Sequence, residues 1–276
     1  MTDIPTLKTS DGLVPAFEIV EPREAAIPFV FCSPHSGRDY PSDLLAATRL
    51  GGEAIRRSED IFVDDLFAFA PGLGAPLIRA RFPRAYLDVN REPFELDPKM
   101  FAETLPGFVN TASLRVAGGL GTIPRIVAEN EEIYRGTLPV AAAMGRIDAI
   151  YRPFHDALEA LLLRTRDQFG LAILIDCHSM PHEALEAACP GNTLRPDVVL
   201  GDRFGAAADT DIAYLTTRLA AASAWRNSLE RMTAVEVRAL QTYREHISSI
   251  GSGAGKYAET YRSAARSAMR EAQSAV

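Results

Sequence analysis

Two stretches of the chain are apolar at nearly every position and then stop abruptly. Phe29-Val30-Phe31-Cys32-Ser33 runs into Pro34-His35-Ser36-Gly37, and Leu171-Ala172-Ile173-Leu174-Ile175 runs into Asp176-Cys177-His178-Ser179-Met180-Pro181. A short, unbroken apolar run rich in β-branched and aromatic residues is the pattern of a strand buried on both faces. It predicts strands over 27–33 and 171–177. Shorter runs predict strands at 76–81 and 85–89, on either side of Phe82-Pro83-Arg84, and another at 197–200. Helical spacing appears over 60–70, with acids in the first turn, and over 128–135. It is clearest over 139–169, where Ile147, Ile150, Phe154, Leu158, Leu161 and Leu162 share one face. Residues 99–125 show no period and carry Gly118, Gly119 and Gly121, so they read as a long and potentially functional excursion. Strands alternating with helices imply the α/β class and a three-layer α/β/α domain with a mixed central sheet.

The pattern changes near Ala206. All 18 prolines lie at or before Pro196, and the remaining chain is rich in Ala, Ser and Arg without a strand period. The expected division is an α/β domain over 1–205 and an atypical, helical segment over 206–276.

Composition narrows the function. A chain of 276 residues, 47% of them hydrophobic, can bury a substantial core. Its net charge of −7 argues against a nucleic-acid surface, which needs a basic face. Three cysteines without a CxxC pair fit a reducing compartment. The start lacks a leader pattern, and no apolar stretch approaches the roughly 20 residues that span a bilayer. The expectation is a cytoplasmic protein with no nucleic-acid or membrane partner and an undetermined oligomeric state. P-loop, GxGxxG and GxSxG motifs are absent, which argues against the corresponding NTPase, dinucleotide and serine-hydrolase readings.

The candidate chemistry sits where the two buried strands end. Ligands of open α/β sheets bind beyond the carboxyl ends of the strands. Neutral imidazole is a common metal ligand, and catalytic zinc sites usually have three protein ligands. His35 and His178 would supply two, and Glu59, Asp60 or Asp64 the third. Asp176 is a candidate to back His178, although neighbouring strand residues face opposite ways. Arg79, Arg81, Arg84 and Arg91 cluster in one segment, and Asn90 with Arg91 suits bidentate recognition of a carboxylate. The alternative for Arg91 is an ordinary salt bridge to Glu92 or Asp88. Arg125, closing the glycine-bearing excursion, is a second anion-binding candidate. Cys32 and Cys177 read as small buried hydrophobes. His155 and His182 read as structural or peripheral.

Taken in order, these segments resemble the N-formylglutamate amidohydrolase family. The resemblance rests on Ser33-Pro34-His35-Ser36-Gly37 with Tyr40-Pro41, Glu59-Asp60-Ile61-Phe62-Val63-Asp64-Asp65, Leu87-Asp88-Val89-Asn90-Arg91-Glu92-Pro93, Gly119-Leu120-Gly121-Thr122-Ile123-Pro124-Arg125, Tyr151-Arg152-Pro153-Phe154-His155, Asp176-Cys177-His178-Ser179-Met180-Pro181 and Leu200-Gly201-Asp202-Arg203-Phe204-Gly205. It implies a zinc-carboxypeptidase-like (phosphorylase/hydrolase-like) fold and one divalent metal ion, zinc. The implied reaction is hydrolysis of a small anionic amide, typically N-formyl-L-glutamate to formate and L-glutamate. Carried over by position, His35, His178 and Asp60 or Glu59 look like metal ligands, and Asn90 and Arg91 like the pair that holds the substrate's α-carboxylate; Arg84 and Arg125, read from their own segments, are further substrate-binding candidates. The family's acid-bearing strand of Gln-Ile-Glu-Ile-Asn-Arg type, and the Pro-Tyr-Gly-Gly segment before it, are not found here. The nearest echo, Ala234-Val235-Glu236-Val237-Arg238, makes Glu236 the candidate catalytic carboxylate. The expectation for the chain after Gly205 is a shifted reading frame or divergence. Alternatives to the leading activity are another N-acyl amino acid as substrate, or a remnant that binds metal or carboxylate without turnover.

Overall fold

The computed structural model describes residues 4–180, 199 and 201. The strand expected at 197–200 falls largely outside the described residues, and the division near residue 206 and Glu236 fall wholly outside. The elements in chain order are β1 (Thr6–Thr9), β2 (Gly12–Pro15), β3 (Phe17–Val20), β4 (Phe29–Ser33), α1 (Ser42–Ala47), α2 (Val63–Leu66) and β5 (Leu77–Ala80). They continue with α3 (Leu114–Ala117), β6 (Ile126–Ala128), β7 (Glu131–Glu132), α4 (Val140–Arg146), α5 (Arg152–Phe169) and β8 (Ile173–Asp176). Four strands form the main sheet in the order β3-β5-β4-β8, and two antiparallel hairpins, β1-β2 and β6-β7, stand apart from it. This is an α/β fold.

The backbone groups into two compact units. One comprises Ile19–Ser33, Asp60–Ile78 and the described residues from Ala160. Its core is the pair of apolar runs read from the sequence: Phe29, Phe31, Ile173, Ile175 and Cys177 pack with Val63, Leu66, Phe67, Leu77 and Leu171. β4 is buried along its whole length, as its unbroken apolar pattern requires. It pairs in parallel with β8, Phe29 facing Ile173 and Cys32 facing Asp176.

The other unit comprises the described residues up to Glu18, Pro34–Glu59 and Arg79–Glu159. Phe154 of α5 lies edge-on to Phe17, at 5.4 Å between ring centroids, and to Phe82, at 6.2 Å. Arg146, at the end of α4, is buried with its guanidinium 3.9 Å above the Tyr86 ring. It donates to the Tyr134 hydroxyl at 2.9 Å and to Asp43 at 3.0 Å. The long helical period read over 139–169 is realised as α4 and α5 joined by a wider turn of π type at Ile147–Tyr151. Pro153, lacking an N–H, cannot continue the α-helical ladder at that joint.

Three local expectations fail. Residues 85–89 make turns instead of a strand, because Pro83 starts a tight reversal in which its carbonyl accepts from Tyr86 N at 2.9 Å. Residues 128–135 form the β6-β7 hairpin instead of a helix, with Asn130 in the left-handed region at φ +62°. The helix expected over 60–70 is confined to Val63–Leu66. Phe62, at φ +63°, breaks the ladder on one side, and beyond Leu66 the bonds tighten to a three-residue spacing, Ala68 N to Asp65 O and Ala70 N to Phe67 O. Among the described residues no helix is long and apolar enough to cross a membrane.

Candidate functional site

Parallel pairing brings the ends of β4 and β8 together. Cys32 faces Asp176, and Cys177 N donates to Cys32 O at 2.7 Å. His178 follows two residues beyond this pair of positions and His35 three. Neither cysteine offers reactive sulfur. Both are buried, and burial pushes both thiols well above their ordinary range.

His178 is gripped on both ring nitrogens. Nδ1 lies 2.9 Å from Asp60 Oδ2, and Nε2 lies 2.9 Å from Asp176 Oδ2. Ser179 Oγ donates to the other Asp60 oxygen at 2.9 Å. Desolvation works against an imidazolium here, but Asp176 and Asp60 outweigh it and push the His178 pKa up to about 10. A site that stabilises positive charge this strongly has the electrostatics of a cation site.

His35 rests on a second carboxylate, which the sequence reading passed over. Its Nε2 lies 2.8 Å from Asp88 Oδ1, with both side chains 1–2% exposed. The same Asp88 oxygen accepts from Asn90 N at 2.9 Å, and Oδ2 accepts from Arg84 Nε at 2.9 Å. Arg91 Nη2 stands 3.6 Å from Oδ2. Burial alone would raise the Asp88 carboxyl, yet His35, Arg84 and Arg91 hold it well below the usual carboxylate range. The turn that replaces the expected strand at 85–89 is what aims Asp88 inward. Its signal in the sequence was a lone acid between Leu87 and Val89, both of which are buried.

Gly37 places the His35 loop against the chain at Arg81–Phe82. A Cβ at position 37 would stand 2.0 Å from the Phe82 carbonyl oxygen, so only glycine allows this approach. Asp39 N donates to Arg81 O at 2.9 Å in the same contact.

One ligand atom each from His35, Asp60 and His178 lie within 4.8 Å of one another, a group able to hold a metal ion. Each histidine also has a carboxylate on its other ring nitrogen, Asp88 and Asp176 respectively, an arrangement common among metal-ligating histidines. Glu59, weighed against Asp60 from the sequence, is turned elsewhere. It accepts from the Tyr40 hydroxyl at 2.5 Å and from Arg56 Nε at 3.1 Å. Asn90, Arg84 and Arg91 surround Asp88. Arg91 is further fixed by donating to Leu120 O at 3.0 Å and to Asn90 O at 2.6 Å. Arg125 belongs to a different set of contacts, Asp97 at 2.8 Å and Glu132 at 3.1 Å. His155 has a structural contact, 2.8 Å from Val89 O and stacked on Tyr151.

Comparison with known proteins meets these observations. The N-formylglutamate amidohydrolase family matches residues 27–245, and the chain belongs to that family. The match continues past Gly205. An N-formylglutamate deformylase from Pseudomonas putida is 29% identical over 195 residues, 69% of this chain and 64% of that protein, so the match spans less than two thirds of the relative. One from Pseudomonas aeruginosa is 26% identical over 212 residues, 75% of this chain and 71% of that protein. The crystal structure of an N-formylglutamate amidohydrolase from Ralstonia eutropha JMP134 superposes with a TM-score of 0.62 at 33% identity. That superposition covers 74% of this chain and 71% of the crystal structure's chain.

Proposed function

We propose that this chain is a metal-dependent amidohydrolase that converts N-formyl-L-glutamate to formate and L-glutamate. The observation that carries the reading is the group His35, Asp60 and His178, with each histidine braced by a carboxylate. Two imidazoles and one carboxylate are the donor set of hydrolytic zinc sites, so one zinc ion is the proposed occupant. Asp88 engages His35 Nε2, which leaves Nδ1 as that residue's ligand atom; Asp60 and the Nδ1 of His178 complete the set. When bound, such an ion supplies Lewis-acid polarisation of the amide carbonyl and a more acidic water.

The remaining roles fall to the chain. Asp88 and Asp176 fix the two imidazole planes and tautomers. Arg84 and Arg91 offer positive charge to an anionic substrate, and Asn90 stands beside them. Holding the substrate in place supplies a large part of such a rate enhancement. The leaving amine requires a proton from a carboxylic acid, for which Glu236 is the candidate.

The test is formate release by the purified full chain, with N-formyl-L-glutamate and N-acetyl-L-glutamate as substrates. Turnover of the formyl compound is expected. Turnover of the acetyl compound alone would retain the site and reject the substrate. Bound metal with no turnover of either would leave a metal-binding remnant in place of an enzyme.

A further inference from the structure

A pocket of about 240 Å³ opens beside Arg49, Lys99, Arg125, Glu132, Arg135 and Gly136. None of these residues belongs to the His35 or His178 groups. The pocket's frame is tied by backbone bonds: Arg49 N to Ile133 O at 2.9 Å, Arg135 N to Ala47 O at 3.0 Å, and Leu138 N to Met100 O at 2.7 Å. Its backbone frame is therefore set before any ligand arrives, with the side chains of Arg49, Lys99 and Arg135 exposed at its rim.

Its charge is unbalanced. Four cations face it with one acid. Arg125 is answered by Asp97, and Arg49 shares Glu132 at 3.3 Å. Among the described residues, Lys99 and Arg135 have no carboxylate partner. Two unanswered positive charges thus share a small cavity in a chain whose net charge is −7. Like charges gathered in a concave site raise the local potential and draw in anions. The adjoining cavity of about 480 Å³ has the opposite balance, because Glu129 and Glu131 join Glu132 there. The cationic pocket holds the volume of about eight waters, which suits an anion of modest size.

We propose that this pocket is a binding site for a small dianion of dicarboxylate or phosphate chemistry, with Lys99 and Arg135 supplying the unpaired charge. The site rests on its own residues and does not depend on the hydrolase reading.

Titration calorimetry of the full chain with succinate, and separately with inorganic phosphate, tests it at low ionic strength. Two variants accompany the wild type. Lys99→Ala with Arg135→Ala removes the free charge. Gly136→Asp adds a carboxylate at a position where a Cβ meets nothing within 4 Å, so that backbone is undisturbed. One anion per chain should bind, and both variants should weaken it by about tenfold or more, the effect of roughly one lost charge-assisted contact. Preference for succinate or for phosphate decides which chemistry the site takes. No binding of either anion, or equal binding by wild type and the Gly136→Asp variant, would overturn the proposal.

Discussion

Replacing Asp88 by Asn keeps the size of the side chain and removes its charge. The carboxylate takes His35 Nε2 and Asn90 N on one oxygen and Arg84 Nε on the other. An asparagine has one acceptor oxygen. If that oxygen keeps His35 and Asn90 N, its amide N–H groups face the Arg84 donor. If it turns to Arg84, they face His35 and Asn90 N. Either way a buried donor meets a donor at a site that is 1% exposed. Breaking a buried, paired charge costs about 3–5 kcal/mol. Arg84 can still reach water at 23% exposure, which places the expected loss near 3 kcal/mol, the lower end of that range. His35 also loses the group that orients it, so metal affinity should fall by about 10- to 100-fold. Urea unfolding gives the stability, and competition with a chelator of known affinity gives the metal constant. A variant within about 0.5 kcal/mol of wild type and with unaltered metal affinity would refute the reasoning, since surface changes have effects of that size.

Other expectations follow from the same geometry. Gly37→Ala forces its Cβ away from the Phe82 carbonyl; a displacement of the His35 loop by about 1 Å should lower activity on the order of 100-fold, and wild-type kcat would contradict it. Arg91→Ala should raise KM for an anionic substrate more than it lowers kcat, and an unchanged KM would remove its proposed role. Burial pushes Tyr86 and Tyr151 up to about 12 from an ordinary 10, so their contribution to stability is whole below pH 10 and is lost as pH rises through 12. The tyrosinate absorbance that a Tyr86→Phe, Tyr151→Phe variant lacks relative to wild type should therefore develop in that window together with the change in circular dichroism; the same difference developing near pH 10 in a folded chain would be the contrary result.

The parts of the fold legible from sequence were those with unbroken apolar runs, β4 buried along its whole length and β8 alternating buried with half-buried residues. β4 and β8 are apolar on both faces, so their pattern admits little else at that length. α5 was legible because Phe154, Leu158 and Leu161 recur at helical spacing and are buried on one face. The 128–135 segment was not, because Val127, Ile133 and Tyr134 are buried at a spacing that fits a helix as well as a hairpin. Only the left-handed Asn130 separates the two. The site divides in the same way. His35 and His178 were candidates because strand ends and a resemblance both pointed to them, and Asp60 because it opens the expected helix within a resembling segment; the fold brings ligand atoms of the three within 4.8 Å of one another. Asp88 was hidden because i,i+4 and i,i+3 spacing to Arg84 and Arg91 reads as a surface salt bridge. Its burial depends on a turn that carries no period. Arg125 was a candidate from its glycine-bearing setting, and the fold pairs it with Asp97 and Glu132.

The central claim is that His35, Asp60 and His178 together hold one metal ion. Metal content of the purified wild-type chain, compared with a His178→Ala variant that keeps the wild-type circular dichroism spectrum, tests it most directly. The account predicts one divalent ion per wild-type chain and none in the variant. Equal metal content in the two proteins would contradict it.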